Sequence, residues 1–465
     1  MAGPPADLEI RPLTADDDPA AQLDLAERAF GPIPAAEREH RLRSLPEHMA
    51  SGRNLGAFAG GQPAASATFH DMRQWWHGRE VPMAGVAGVT VAPEHRGRGV
   101  GRRLMTALLG EIAARGYPLS ALFPATMSLY RSLGWELAGA RDTAVIPARS
   151  LLRLPPPDPA ARPDPAARPD SSAQPDSSAR PDPAAPSGGV TSGPAVDLRR
   201  AGPADAAAVI AALGQAHRAA RDCGPITRDT AMVANWLADR DLYAYLAGDG
   251  FLAYRWQHHD LFVACAEAVS GETVRAFWTH VGSHASIADK IYARTGPASA
   301  YWWLTAERDA DIAHRSRWML RVVDAPAAIA ARGFPEAVSV HVVLHIDDRT
   351  RPANSGLWDL AVAGGTGTLS PLETLDPNAP VNPISTMDHT SATNPTSTID
   401  PVSTTDLADP VSTAFTLGAR GLAALYAGSP LAALRQAGLA AGGTPADDEA
   451  LDAAFAATPF MLDAF

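Results

Sequence analysis

The chain has 465 residues, enough for roughly two to four domains of ordinary size, and 46% apolar against 19% charged residues is a globular balance. Its 39 Lys+Arg against 51 Asp+Glu leave a formal charge of −12, which removes the usual drive toward nucleic-acid phosphates, so no nucleic-acid partner is expected. Two cysteines match neither a disulfide scaffold nor a multi-cysteine zinc site, and without a run of about 18 apolar residues or a signal-like start, no membrane partner and a cytoplasmic location are expected.

In chain order, E-I-R-P-L-T-A-D-D at 9–17 predicts a strand running into a capped helix. The next informative stretch is V-A-G-V-T-V-A-P-E-H-R-G-R-G-V-G-R-R-L-M-T-A-L-L at 86–109, which reads as strand, turn and helix. Gly97, Gly99 and Gly101 let a ligand approach the backbone, and Val100, Leu104, Leu108 and Ile112 mark the buried face of the helix, with Gly116 as its left-handed cap. Free amides at a helix N-terminus favour a pyrophosphate, so an acidic protein can still hold an anion locally. The turn R-G-R-G-V-G resembles the R/Q-x-x-G-x-G/A signature of the GNAT acyltransferase superfamily. That resemblance implies acetyl-CoA, with Val89, Thr90 and Val91 along the pantetheine arm and Gly97, Arg98, Gly99, Val100, Gly101 and Arg102 around the pyrophosphate.

P-L-S-A-L-F-P then reads as a strand and A-T-M-S-L-Y-R-S-L-G-W as a short helix, whose Tyr130, Gly134 and Trp135 follow the Y-x-x-x-G-aromatic pattern of the same superfamily. The resemblance makes Tyr130 the general acid that protonates the leaving thiolate and counts Ala125 and Thr126 among the cofactor contacts. Many GNAT enzymes carry a Glu base on the central strand, but residues 81–93 contain no acid at all. A base is therefore expected elsewhere.

Residues 155–189 lack aromatic and branched aliphatic side chains and repeat Asp every six residues, as a disordered linker would. Beyond it, D-L-R-R-A-G-P-A-D at 197–205 repeats the first segment in register, Arg199 for Arg11 and Asp205 for Asp17, which predicts a duplicated fold. W-M-L-R-V-V-D-A-P-A-A-I-A-A-R-G, from Trp318, predicts a strand and a short helix closed by Gly333; strands follow at 338–346 and 355–362, and helices at 417–426 and 430–437. A second hexad repeat fills 371–413, and Gly364 to Gly367 predict a hairpin turn. The boundaries expected are 1–150, a linker at 151–194, 195–311, and 312–465 with an insertion at 371–413.

This layout, with a second domain that lacks the R/Q-x-x-G-x-G loop, resembles the Eis (enhanced intracellular survival) acetyltransferases over nearly the whole chain. The resemblance implies an α+β fold of two tandem GNAT-like domains and a sterol-carrier-like domain, with the C-terminal carboxylate, here on Phe465, entering the first domain as general base. It also implies a small polycationic amine acceptor, aminoglycoside-like or polyamine-like, and a homohexamer. Around Gly31 to His40, Pro32, Pro34, Glu37 and His40 stand where aromatic and acidic lining is expected, and Gly88 where a wall could stand, so the acceptor pocket is expected to differ in shape. A protein lysine or N-terminal acetyltransferase and a non-catalytic acetyl-CoA or lipid sensor are the rivals. No metal is expected, because His280 with His284 and His341 with His345 each lack a third ligand.

Overall fold

The computed structural model describes residues 5, 7–154, 196–305, 309–372 and 414–465. The linker's hexad repeat and all but the start of the 371–413 insertion lie outside the described residues. The elements run β1 (Glu9–Pro12), α1 (Pro19–Phe30), α2 (Ala35–Ala50), β2 (Asn54–Ala59), β3 (Gln62–Trp76), β4 (Arg79–Val91), α3 (Val100–Ala114), β5 (Leu119–Leu122), α4 (Met127–Arg131) and β6 (Glu136–Pro147). The middle of the chain gives β7 (Arg199–Arg200), α5 (Ala206–Ala220), β8 (Ile226–Thr227), α6 (Thr230–Leu237), β9 (Leu242–Ala247), β10 (Gly250–Gln257), β11 (Asp260–Ala268), α7 (Gly271–Gly282), β12 (Lys290–Thr295) and α8 (Tyr301–Leu304). The last part gives β13 (Asp311–Val322), α9 (Ala325–Ala331), β14 (Val340–Asp347), β15 (Gly356–Ala363), β16 (Thr366–Pro371), β17 (Phe415–Gly418) and β18 (Ala440–Ala441), with helices at Ala419–Tyr426, Leu431–Gln436 and Pro445–Phe455.

These form two compact units, and neither is continuous in sequence. The first comprises 1–142, 217–229 and 315–465; the second comprises 143–216 and 230–314. In the first unit, one sheet runs β1-β2-β3-β4-β5-β13, antiparallel except for the parallel pair β4 and β5, which α3 connects. Its core is the predicted face of α3, Val100, Leu104, Leu108 and Ile112, all fully buried against Phe69, Val86 and Trp135. Gly116 takes φ +78 and ends that helix as expected.

A second sheet of the same unit runs β16-β15-β14-β17-β18. Gly364 and Gly365, both with positive φ, make the two-residue hairpin between β15 and β16. Helix α9 closes on Arg332 in extended backbone rather than on Gly333. Gly333 is required for a different reason: a Cβ there would lie 2.4 Å from the His77 carbonyl oxygen.

The second unit has the order β7-β9-β10-β11-β12, antiparallel except for the parallel pair β11 and β12, which α7 connects. Its core gathers Tyr254, Phe277, Trp278 and Tyr301. Residues 148–153, of which 151–153 fall inside the expected linker boundary, form a 3-10 turn that buries Leu151. Among the described residues no helix is long and apolar enough to cross a membrane.

Candidate active site

The strand β5 stops at Leu122, opposite Val86, while β4 runs on to Val91. Residues 87–91 therefore keep β3 on one side and have no β5 partner on the other. This open edge presents backbone donors and acceptors at the carboxyl end of a parallel pair, the usual place for a ligand crevice in such sheets. Gly88, φ +58 and exposed, makes a bulge: the β3 register shifts between Ser66 and Thr68, and Thr90 Oγ1 donates to the Gly88 carbonyl. Val89 and Val91 are half-buried and Thr90 is buried.

The strand leads through a short 3-10 turn (Pro93–His95) into the glycine loop. Gly97 has φ +71 with nothing within 4 Å of where a Cβ would stand, and Gly99, φ +80, precedes α3 without any side-chain cap. The first amides of α3, from Val100, Gly101 and Arg102, are left for a ligand or water. Gly101 serves packing instead, since a Cβ there would sit 3.2 Å from Val91 Cγ2. Of the loop arginines, Arg96 is tied to the Val91 and Ala29 carbonyls, whereas Arg98 Nε is buried without a partner and Arg102 is exposed. Uncapped amides, an unpartnered guanidinium nitrogen and the open β4 edge fit a pyrophosphate with an amide-bearing arm.

Ala125 and Thr126 are exposed after β5 and lead into α4, which carries Tyr130. Tyr130 is 5% exposed and packs edge-on to Trp135, and burial pushes its hydroxyl above the ordinary tyrosine range. The turn after it is fixed from a distant part of the chain: fully buried Arg321 donates through Nε to the Leu133 carbonyl at 3.0 Å and pairs with Asp348 at 2.6 Å. Buried Glu136 holds Arg131 of α4 and Arg420 together.

The C-terminal arm reaches the same strand pair. Phe460 bridges to Ala140 in parallel, and a Cβ on Gly85 would lie 2.9 Å from Phe465 Cδ2, so the Phe465 ring lies on β4 itself. The Phe123 ring, one residue past β5, meets it edge-on at 5.8 Å, and Arg141 stacks over Phe123 at 4.9 Å. Phe465 thus sits where β4 and β5 part, the strand stretch that has no acid of its own. Sequence reasoning placed Gly88 at the pocket wall without its strand bulge, and did not identify Gly85, Arg141 or Arg228. An isolated glycine inside a strand is the available signal for the two glycines; the partners of the arginines are too far along the chain to leave one.

Elsewhere, His280 and His284 both reach the Tyr254 hydroxyl, at 3.3 and 3.0 Å, and burial lowers the pKa of both. Among the described residues no group of three or more His, Cys, Asp or Glu is assembled for a metal. Cys223 and Cys265 are buried thiols that form no disulfide. Trp75 and Trp76 are core residues, whereas Trp303 is 84% exposed.

Comparison with known proteins agrees with this geometry. The acetyltransferase (GNAT) domain model matches residues 9–138, and the sterol carrier protein domain model matches residues 325–462. The chain is 28% identical over 376 residues to the N-acetyltransferase Eis of Mycobacterium tuberculosis (strain ATCC 25177 / H37Ra), spanning 77% of this chain and 84% of that protein. Among solved structures, a GCN5-related N-acetyltransferase from Kribbella flavida is 40% identical with a TM-score of 0.79, covering 99% of this chain and 98% of its own. Eis1 from Mycobacterium abscessus, at 21% identity and a TM-score of 0.68 over 98% of this chain and 100% of its own, shares the fold. With the GNAT domain at its N-terminus and the sterol-carrier domain at its C-terminus, the chain belongs to the Eis family of GCN5-related N-acetyltransferases and is an acetyl-CoA-dependent N-acetyltransferase.

Proposed function

We propose that the enzyme acetylates a primary amine of a small polycationic acceptor, aminoglycoside-like or polyamine-like, with Tyr130 as general acid and the Phe465 carboxylate as general base. The observation that carries this reading is the seat of Phe465 on Gly85 of β4, beside an open strand edge and ahead of the helix that bears Tyr130. Acetyl-CoA supplies an activated thioester. The β4 edge at Val89 to Val91 holds its arm, the amides at the start of α3 with Arg98 hold its pyrophosphate, and a β4 amide near Val91 polarises the carbonyl. The Phe465 carboxylate accepts the proton that the attacking amine loses, directly or through water, and Tyr130 donates a proton to the departing sulfur.

In the same reading, residues 195–311 are a degenerate second copy of the GNAT fold. Arg11 pairs with Asp17 at 2.6 Å and Arg199 with Asp205 at 2.8 Å, each ahead of the first helix of its own unit. At the N-terminus of α7, Ser270 caps Thr273, and Asp249 accepts from the Ser270 amide at 2.7 Å. Protein groups thus take up donors at the start of α7, in keeping with a copy that holds no pyrophosphate. A homo-oligomer, hexameric on the family pattern, is the assembly proposed. Light scattering on the purified chain checks it.

The test is thiol release from acetyl-CoA across a panel of polyamines, aminoglycosides and peptides, comparing wild type with Tyr130→Phe and with one glycine appended after Phe465. Loss of amine-dependent release in both variants, with acetyl-CoA binding retained, supports the two roles. Faster acetylation of peptides would move the acceptor to protein amines, and acetyl-CoA binding without release on any amine would favour a sensor.

A further inference from the structure

Residues 217–229 lie far from both ends of the sequence, yet they belong to the first unit. They are fixed to β3 on one side: the Trp75 amide donates to the Pro225 carbonyl at 2.8 Å, the Gly224 amide to the Trp75 carbonyl at 2.7 Å, and Gln74 Nε2 to the Gly224 carbonyl at 3.0 Å. Strand β8 adds a short antiparallel pairing to Arg73 and Gln74. On their other side they hold the C-terminal arm. The Phe460 amide donates to the Cys223 carbonyl at 3.0 Å, and Gly224, at φ +104, passes so close that a Cβ would lie 2.3 Å from the Phe460 oxygen. Arg228, directly after β8, donates through Nη2 to the Ala464 carbonyl at 2.8 Å, and its Nη1 lies 3.7 Å from Asp463. Its side chain is 18% exposed.

The geometry points to Arg228 as the positioning residue for the C-terminal carboxylate, an inference that rests on the reading of Phe465 as the base. The guanidinium fixes the plane of the last peptide bond, and the contacts of the Phe465 ring with Gly85 and Phe123 fix the side chain. With peptide plane and ring both held, the carboxylate keeps little more than rotation about its own Cα–C bond. Arg228 grips the peptide carbonyl and faces Asp463, so it directs the arm while remaining off the reacting atoms. A terminal carboxylate on an unanchored arm would sample many orientations, and misplacement by about 1 Å can cost on the order of 100-fold in rate.

The experiment uses the full chain with Arg228→Met, Arg228→Lys and Asp463→Asn, read by steady-state kinetics, acetyl-CoA binding and thermal melting. Arg228→Met is expected to lower kcat by about 100-fold, with acetyl-CoA affinity unchanged, and the loss is expected to be partly restored by Arg228→Lys or by added methylguanidine. Asp463→Asn, a near-isosteric change at a partly exposed side chain, is the second variant and is expected to lower kcat to a lesser degree. Wild-type kcat in a folded Arg228→Met or in Asp463→Asn overturns the inference, as does a fall in kcat that tracks lost acetyl-CoA binding. The appended glycine separates the two readings. If it abolishes turnover while Arg228→Met does not, the base stands and the positioning role falls; if it has no effect, the base reading falls and this inference with it.

Discussion

Gly85 and Gly88 lie three residues apart on one strand and are needed for opposite reasons. Gly85 is buried and its absent side chain is the space that Phe465 and the Met72 sulfur fill; Gly88 is exposed and needed for its positive φ. Gly85→Ala is expected to displace the Phe465 ring and lower kcat at least tenfold, with acetyl-CoA affinity kept, as steady-state kinetics and calorimetry would show. Gly88→Ala meets only Thr68 Cγ2 at 3.6 Å, so urea unfolding should register a loss of about 1 kcal/mol from the left-handed backbone. Tyr130→Phe is expected to cost about 100- to 10,000-fold in kcat. Because burial raises the pKa of this phenol, it stays protonated through neutrality, and the alkaline limb of the kcat profile should fall above about pH 10, the ordinary tyrosine value. The glycine loop and Tyr130 were legible in the sequence because their spacing is local. The seat on Gly85 was not, since its occupant lies at the other end of the chain.

At the scale of elements, two ionic devices do different work. The Arg321–Asp348 pair is wholly buried, and it anchors the turn behind Tyr130 through the Leu133 carbonyl. Asp348→Ala should leave an unpaired guanidinium in the core and lower stability by about 3–5 kcal/mol in urea unfolding, whereas removing both charges for apolar residues should cost less. The Arg11–Asp17 pair instead ties the first strand to the approach to α1. The hydrogen bonds from Arg11 hold the Asp17 carboxyl down at about 2. Its folded pKa is depressed, so its contribution is present above the unfolded carboxylate value near 3.9 and is lost as pH falls toward 2. Arg11→Leu should flatten the pH dependence of stability in that acid window, measured by chemical denaturation. The repeated Arg and Asp were read from the sequence as a matched pair of segments, and each pair does form within its own unit. Gly333 was read as the residue that closes helix α9, because a glycine needed for close packing looks the same in sequence as one needed for a left-handed cap.

For the molecule as a whole, composition marked the repeat-rich segments at 155–189 and 371–413. It did not show that the first unit is assembled from three separated stretches of chain. Hydrophobic periodicity reports which face of a strand is buried and says nothing about which strand lies beside it. The pairing of β5 with β13, Leu122 opposite Met319, is of that kind. It has a consequence for biosynthesis. All four residues of β5 are buried in the finished protein, and its partner emerges about 200 residues later. At ordinary translation speeds of roughly 5–20 residues per second, that edge stays unpaired for about 10–40 s on the ribosome. During this interval the nascent chain carries a short apolar strand open to pairing with a neighbour, so chaperone occupancy on polysomes should peak between the synthesis of β5 and that of β13.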